Sequence, residues 1–478
     1  SIHTMNINSN NVNPNLMKMN VGRWSLQLGI WGNPLWQHRR HYRPTVRLTA
    51  ALTTEKPPIC TADELHYVAV PNTQWHLALW RYLPSPAAPT ARNHPLLLLS
   101  GVGANAIGYD LSPQSSFARH MSGQGFDTWI LEVRGAGLSK RLESVRGFSE
   151  TTQTSTARSL VKDLGRWVSE FAKSPTTIPL PFPQFNEHLA PVLEEFLRQV
   201  DLFQNSDWDL DQMLNEDLPL VMDYIRTQSK PRDGKLLAIG HSMGGILLYA
   251  MLSLYGFEGC DHHLAAVTTL ASSLDYSSSR SSLRLLLPVT DPAKALNVTA
   301  IPFGVVMAAL YPFASRPPFL LYWLNAQISA QDMMTPELFE RLVLKNFCTV
   351  PAKLLLQLAT LFESTGLSDR SRTFFYKEHI HRTNVPILAL AGDQDLICPP
   401  EAVYETIKKI PEHMITYRVF GEPRGPHYAH YDLVGGRYVC VSCFTPFVFF
   451  PYTSLCYSLY AKEFTHSRLS ELNNVDLS

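Results

Sequence analysis

The first 54 residues contain no Asp or Glu, yet they carry Lys18, Arg23, Arg39, Arg40, Arg43 and Arg47 among many Asn. They also lack the unbroken apolar stretch of a secretory signal. An acid-free, arginine-bearing leader without that stretch reads as an organelle transit peptide, and residues 1–58 are assigned to it. Over the whole chain neither sign of charge is in surplus, with 41 Lys and Arg against 41 Asp and Glu. Nucleic acid is bound through a basic surplus, so it is excluded as the main partner. Cysteine is scarce and odd in number, with seven residues. The lone C-x-x-C, Cys440 and Cys443, has no second pair to complete a zinc site. All seven are read as reduced, and neither a metal nor a cofactor is expected. No internal repeat is visible.

What is present is an ordinary globular balance, 45% hydrophobic, which supports a large core. The ordered part is expected to begin near Ile59. "HYVAVPNTQWHLALWRYLP" (66–84) reads as an antiparallel pair of strands. "ARNHPLLLLSG", "DTWILEVRGAG", "GKLLAIG", "LAAVTTLAS" and "VPILALAGD" are apolar runs bounded by Gly, Ser or Asp, the pattern of strands buried on both faces. Between them lie helical stretches: 115–125, 217–230, 246–256 and 399–410. Strands that alternate with helices and are uniformly apolar predict an α/β fold, a mainly parallel central sheet flanked by helices. Two insertions interrupt it. Residues 140–215 carry extra helices such as "SLVKDLGRWVSEFA", and residues 277–384 form an apolar, proline-rich insertion read as a helical cap. Within the cap, Thr335-Pro336 is an N-cap followed by an N1 proline. The 21 residues Ala295–Ser315 have no charge, but Pro302 and Pro312 lie inside them, which favours a pocket lining over a membrane span.

One motif carries chemistry. Gly240-His241-Ser242-Met243-Gly244 is G-x-S-x-G, set between an expected buried strand and an apolar helix. A tight turn there needs glycines and thrusts the Ser242 hydroxyl out of the sheet. The Met243 N–H, at the helix N-terminus, can stabilise an oxyanion. A second donor is expected from "LLLLSGVGANAIGYD": the Val102 N–H beside Gly101, with Gly103 as a weaker alternative. A serine hydroxyl needs a base, and the base an orienting acid. "ILALAGDQDLICPP" offers Asp395, in the loop proper, and Asp393, which is expected to brace the loop. Asp275 is a further alternative acid. "GPHYAHYDLVGG" offers His427 and His430 as the base.

Together these residues resemble the α/β-hydrolase superfamily over roughly 66–435. "SGVGANAIGYD", "DTWILEVRG", "GHSMGG" and "AHYDLVGG" are similar to the acid-lipase branch, and that resemblance selects His430 over His427. "CTADELHYV", "SPQSSFARHMSGQGFDTWILEVRGAGLS" and "HYAHYDLVGGR" resemble a plant group of α/β-hydrolase-like proteins with plastid-type leaders, which implies a chloroplast location. "YDLSPQSSFARHM" is also similar to polyhydroxyalkanoate synthases, but those carry Cys at the elbow. Ser242 therefore implies hydrolysis rather than polymerisation.

The chain departs from the family at two places. Ser100-Gly101 stands where His-Gly is usual. After Arg437, "YVCVSCFTPFVFFPYTSLCYSLYA" replaces a closing amphipathic helix, so 438–478 is an atypical C-terminal segment.

The expected organisation is a leader (1–58), a first core part (59–276), a cap (277–384), a second core part (385–437) and the C-terminal segment. The expected activity is a serine hydrolase cleaving an apolar, lipid-like acyl ester through Ser242, His430 and Asp395, with the Val102 and Met243 N–H groups as the oxyanion hole. Its partner is then a small apolar ester, with peripheral membrane contact compatible with the apolar cap. Two alternatives stay open: an acyltransferase on the same residues, and a non-catalytic ligand receptor or scaffold on a hydrolase fold.

Overall fold

A ten-stranded mixed sheet organises the chain. The computed structural model describes residues 50–52, 56–141, 208–286, 299–315, 319 and 321–437. These all belong to the compact unit that begins at Leu48. Residues 1–49 of the expected leader, residues 142–207 of the expected helical insertion, including "SLVKDLGRWVSEFA", and the segment 438–478 lie outside the described residues.

The strands are β1 (Ala50–Leu52), β2 (Glu64–Ala69), β3 (Trp75–Tyr82), β4 (Leu96–Leu99), β5 (Thr128–Leu131), β6 (Lys140–Arg141), β7 (Leu236–His241), β8 (Leu264–Leu270), β9 (Ala300–Pro302), β10 (Thr349–Pro351), β11 (Ile387–Gly392) and β12 (Ile415–Phe420). Sheet order is β1-β2-β3-β5-β4-β7-β8-β11-β12, with β6 paired to β3. From β5 to β12 every pairing is parallel, whereas β1, β2, β3 and β6 pair antiparallel. Burial explains the division. β4, β5, β7 and β11 are buried at every residue, as parallel strands covered on both faces must be.

Local signals set the helices. α1 (Phe117–Gly123) is capped by the Ser116 side chain, which accepts from the Arg119 N–H at 3.0 Å. α2 (Leu218–Ser229) has a proline in its first turn and stops at Lys230 in a left-handed conformation. α3 (Met243–Glu258) follows β7 directly, is buried throughout Met243–Leu254, and ends on Gly259 at φ 68°. α4 (Phe303–Ser315), α5 (Pro336–Lys345) and α6 (Ala352–Ala359) belong to the expected cap. Thr335 caps α5 as expected, accepting from the Leu338 N–H. α7 (Pro400–Ile407) and α8 (Asp432–Gly435) flank β12.

Three features differ from the sequence expectation. β1 lies inside 1–58, so order begins before Ile59. Ala50–Leu52 is too short to show a pattern, and it forms by pairing with the edge of β2. The cap is not purely helical, because β9 and β10 pair antiparallel in a separate two-stranded sheet. One π-turn, Met213–Asp217, precedes α2. No described helix is long and apolar enough to cross a membrane.

Candidate active site

The β7–α3 turn places Ser242. Its backbone sits at φ 54°, ψ −119°, a conformation that costs a non-glycine residue roughly 1–3 kcal/mol and persists only where the surroundings impose it. They do so here. The Ser242 N–H donates to the Leu270 carbonyl at 2.8 Å, and the Ser242 carbonyl accepts from the Gly245 N–H at 3.0 Å and from Ser272 Oγ at 2.8 Å. The glycines are sterically required. A Cβ on Gly240 would lie 2.4 Å from the Gly244 backbone, and one on Gly244 would lie 2.2 Å from the Leu99 carbonyl oxygen.

The loop after β4 runs past this turn. A Cβ on Gly101 would stand 3.3 Å from Ser242 Cβ and 3.7 Å from its Oγ, so the Gly101-Val102 backbone adjoins the hydroxyl. Among the described residues neither the Val102 nor the Met243 N–H has a hydrogen-bond partner. Two unpaired donors beside a serine hydroxyl are an arrangement an oxyanion site would use. Gly103, the weaker alternative, is turned toward the cap. Its carbonyl accepts from the Cys348 N–H at 2.6 Å, and its φ is 59°.

The loops after β11 and β12 bring two Asp–His pairs together. Asp395 Oδ2 accepts from His430 Nδ1 at 2.8 Å, while its Oδ1 accepts from the Ile397 and Cys398 N–H groups at 2.9 and 2.8 Å. Acceptance by a carboxylate sets Nδ1 of His430 as the protonated nitrogen and leaves Nε2 as an acceptor. Asp393 instead pairs with His427 and accepts from the Tyr428 N–H at 2.9 Å. Burial separates the pairs. The His430 and Asp395 side chains are 4% and 0% exposed, whereas those of His427 and Asp393 are 38% and 26% exposed. Asp275 meets no histidine. It is bound by Lys377 Nζ at 2.5 Å and by Ser277 Oγ at 2.6 Å.

Several groups around the site escaped sequence reasoning. His241, inside the motif, donates from Nε2 to the His430 carbonyl at 3.0 Å, and the two rings stand 4.7 Å apart. Its burial, and then the neighbouring His430, hold its pKa well below the usual imidazole range, so it is neutral. Glu132 is buried and accepts from the Ala106 and Leu138 N–H groups at 3.0 and 2.7 Å, bracing the loop after β4. Burial pushes its pKa up. The Asn105 N–H donates to the Asn346 carbonyl at 3.0 Å. Only the "HYD" sequence around His430 could have flagged any such support, and it does not name the partners. Among the described residues there is no cluster able to hold a metal ion.

The family model described as "alpha/beta hydrolase fold" matches residues 94–432. No curated protein matches the chain. Among solved structures, a soluble variant of monoglyceride lipase from Saccharomyces cerevisiae shares 13% identity, covering 84% of this chain and 98% of its own, with a TM-score of 0.43. An alpha/beta fold family hydrolase from Bacillus anthracis also shares 13% identity, covering 81% and 97%, at 0.42. Monoacylglycerol lipase from Paleococcus ferrophilus shares 13%, covering 74% and 90%, at 0.37. At such identities and scores these likenesses carry no weight beyond the family match.

Proposed function

Because the chain belongs to the α/β-hydrolase family, we propose that it is a serine hydrolase acting on an apolar acyl ester. The buried Asp395–His430 pair, joined through His241 to a strained serine turn, is the observation that carries this reading. Ser242 Oγ attacks the ester carbonyl as His430 Nε2 takes its proton. The Val102 and Met243 N–H groups bind the oxyanion that forms. His430 then protonates the leaving alcohol, and water, deprotonated in turn by His430, releases the acid and restores Ser242. Asp395 keeps the Nδ1 proton in place and stabilises the imidazolium. The apolar cap residues support a hydrophobic acyl group, and the acid-free leader supports a plastid location.

Labelling of the full chain with a fluorophosphonate probe tests the mechanism. The parent is expected to label, while Ser242→Ala and His430→Ala lose labelling with their circular dichroism unchanged. A folded parent that does not label would overturn the hydrolase reading.

A further inference from the structure

The loop that carries His430 is held from the cap. The Tyr431 N–H donates to the Ile328 carbonyl at 2.8 Å. Ser329 Oγ donates to Asp432 Oδ1 at 2.6 Å, and the Ala330 N–H donates to Asp432 Oδ2 at 2.7 Å. The same Oδ2 accepts from the Ala429 N–H at 2.8 Å. Asp432 is completely buried, and its carboxylate accepts two bonds from the cap and one from the residue just before His430. Asn346, which ends α5, is also buried. Its Nδ2 donates to the Tyr431 hydroxyl at 3.1 Å, and its carbonyl accepts the Asn105 N–H of the oxyanion loop. One cap segment, 328–348, thus reaches both the base loop and the oxyanion loop.

Hydrogen bonds to a carboxylate are among the strongest and most directional a chain can make. A reacting geometry tolerates little displacement, since a shift of about 1 Å can cost about 100-fold in rate. We propose that Asp432 is a positioning residue that registers the His430 loop on cap residues 328–330. The base then keeps its place only while that part of the cap stays seated. This inference rests on the hydrolase reading above.

The test uses the full chain with Asp432→Ala, Asp432→Asn and Ser329→Ala, read by hydrolysis of p-nitrophenyl butyrate, fluorophosphonate labelling and circular dichroism. Folded Asp432→Ala should label about 100-fold more slowly and lose kcat, with KM held within about twofold. Asp432→Asn keeps an oxygen for the two N–H donors and should recover at least about tenfold of that loss. Ser329→Ala removes a single bond and should lower kcat about two- to fivefold. If Asp432→Ala does not fold, Ser329→Ala decides, and a parent-like kcat in that variant overturns the proposal. A labelling, active parent whose folded Asp432→Ala variant is unchanged, or altered in KM alone, overturns the positioning role and leaves the hydrolase reading standing. A folded parent that neither labels nor hydrolyses overturns the hydrolase reading, and the positioning role falls with it.

Discussion

At the scale of single residues, the Ser242 turn is defined by what its neighbours cannot be. Gly244 sits under the backbone of β4, where an added methyl would be 2.2 Å from a carbonyl oxygen that a strand cannot move. Gly244→Ala should therefore destabilise the protein by about 1–3 kcal/mol or more. The same shift would misplace the Met243 N–H and abolish labelling. Gly123 in α1 has nothing within 4 Å of its added Cβ, and Gly123→Ala should be neutral or stabilising by up to about 1 kcal/mol. Urea denaturation of the two variants reads the difference. At this scale the tight Ser242 turn was legible, because G-x-S-x-G between two apolar stretches states its own geometry. The choice between His427 and His430 was not, because both follow β12 (Ile415–Phe420) and stand only three residues apart. Resemblance selected His430. In the structure each histidine meets its own aspartate, and burial separates them.

At the scale of elements, α3 and α4 are both strongly apolar helices with opposite surroundings. α3 is buried along Met243–Leu254, packed between the sheet and the chain near Tyr376, whose carbonyl accepts from Ser253 Oγ at 2.5 Å. α4 buries only Ala314. Composition does not tell them apart, since neither helix offers a charged face to orient it. Their environments predict different costs. Leu247→Ala in α3 should lower the unfolding free energy by about 2–5 kcal/mol, because Leu247 is completely buried and leaves a cavity. Leu310→Ala in α4, at a half-buried position, should cost less than about 1 kcal/mol. Paired denaturation curves check the contrast, and an equal loss at both positions would mean that α4 is packed like a core helix. The strands β4, β7 and β11 were readable for the complementary reason: runs without polar interruption have no solvent face to give. β1, β9 and β10 are three residues each, too few for any period to show.

At the scale of the whole molecule, the buried carboxylate of Asp432 couples the fold to pH. Its pKa is raised to about 6, by burial first and by the nearby Asp395 among the other causes, against the donors that bind it. A carboxyl raised above its unfolded value binds its proton more tightly in the native state. Its contribution to stability is therefore complete below the unfolded pKa, near 4, and is lost as pH rises through about 6. The parent should gain stability relative to Asp432→Asn on acidification from about pH 6.5 to pH 4, by on the order of 2 kcal/mol. This runs against the usual acid destabilisation, so the comparison is made as the difference between the two urea midpoints across that range. A difference that does not vary with pH would show that Asp432 stays ionised throughout the window.

The sequence by itself determined the layered architecture and the serine turn. Both follow from local properties, the uninterrupted apolar runs that only a covered parallel sheet can bury and the glycines that only a crowded turn requires. The tertiary structure alone decided which acid meets which histidine, because that depends on the register of β11 against β12, which aligns Gly392 with Phe420 and brings the two following loops together. It alone also joined Ser329 to Asp432 across 103 residues of chain. A hydrogen bond between such distant residues leaves no periodicity in the sequence, and it forms only when the cap and the sheet are already in place.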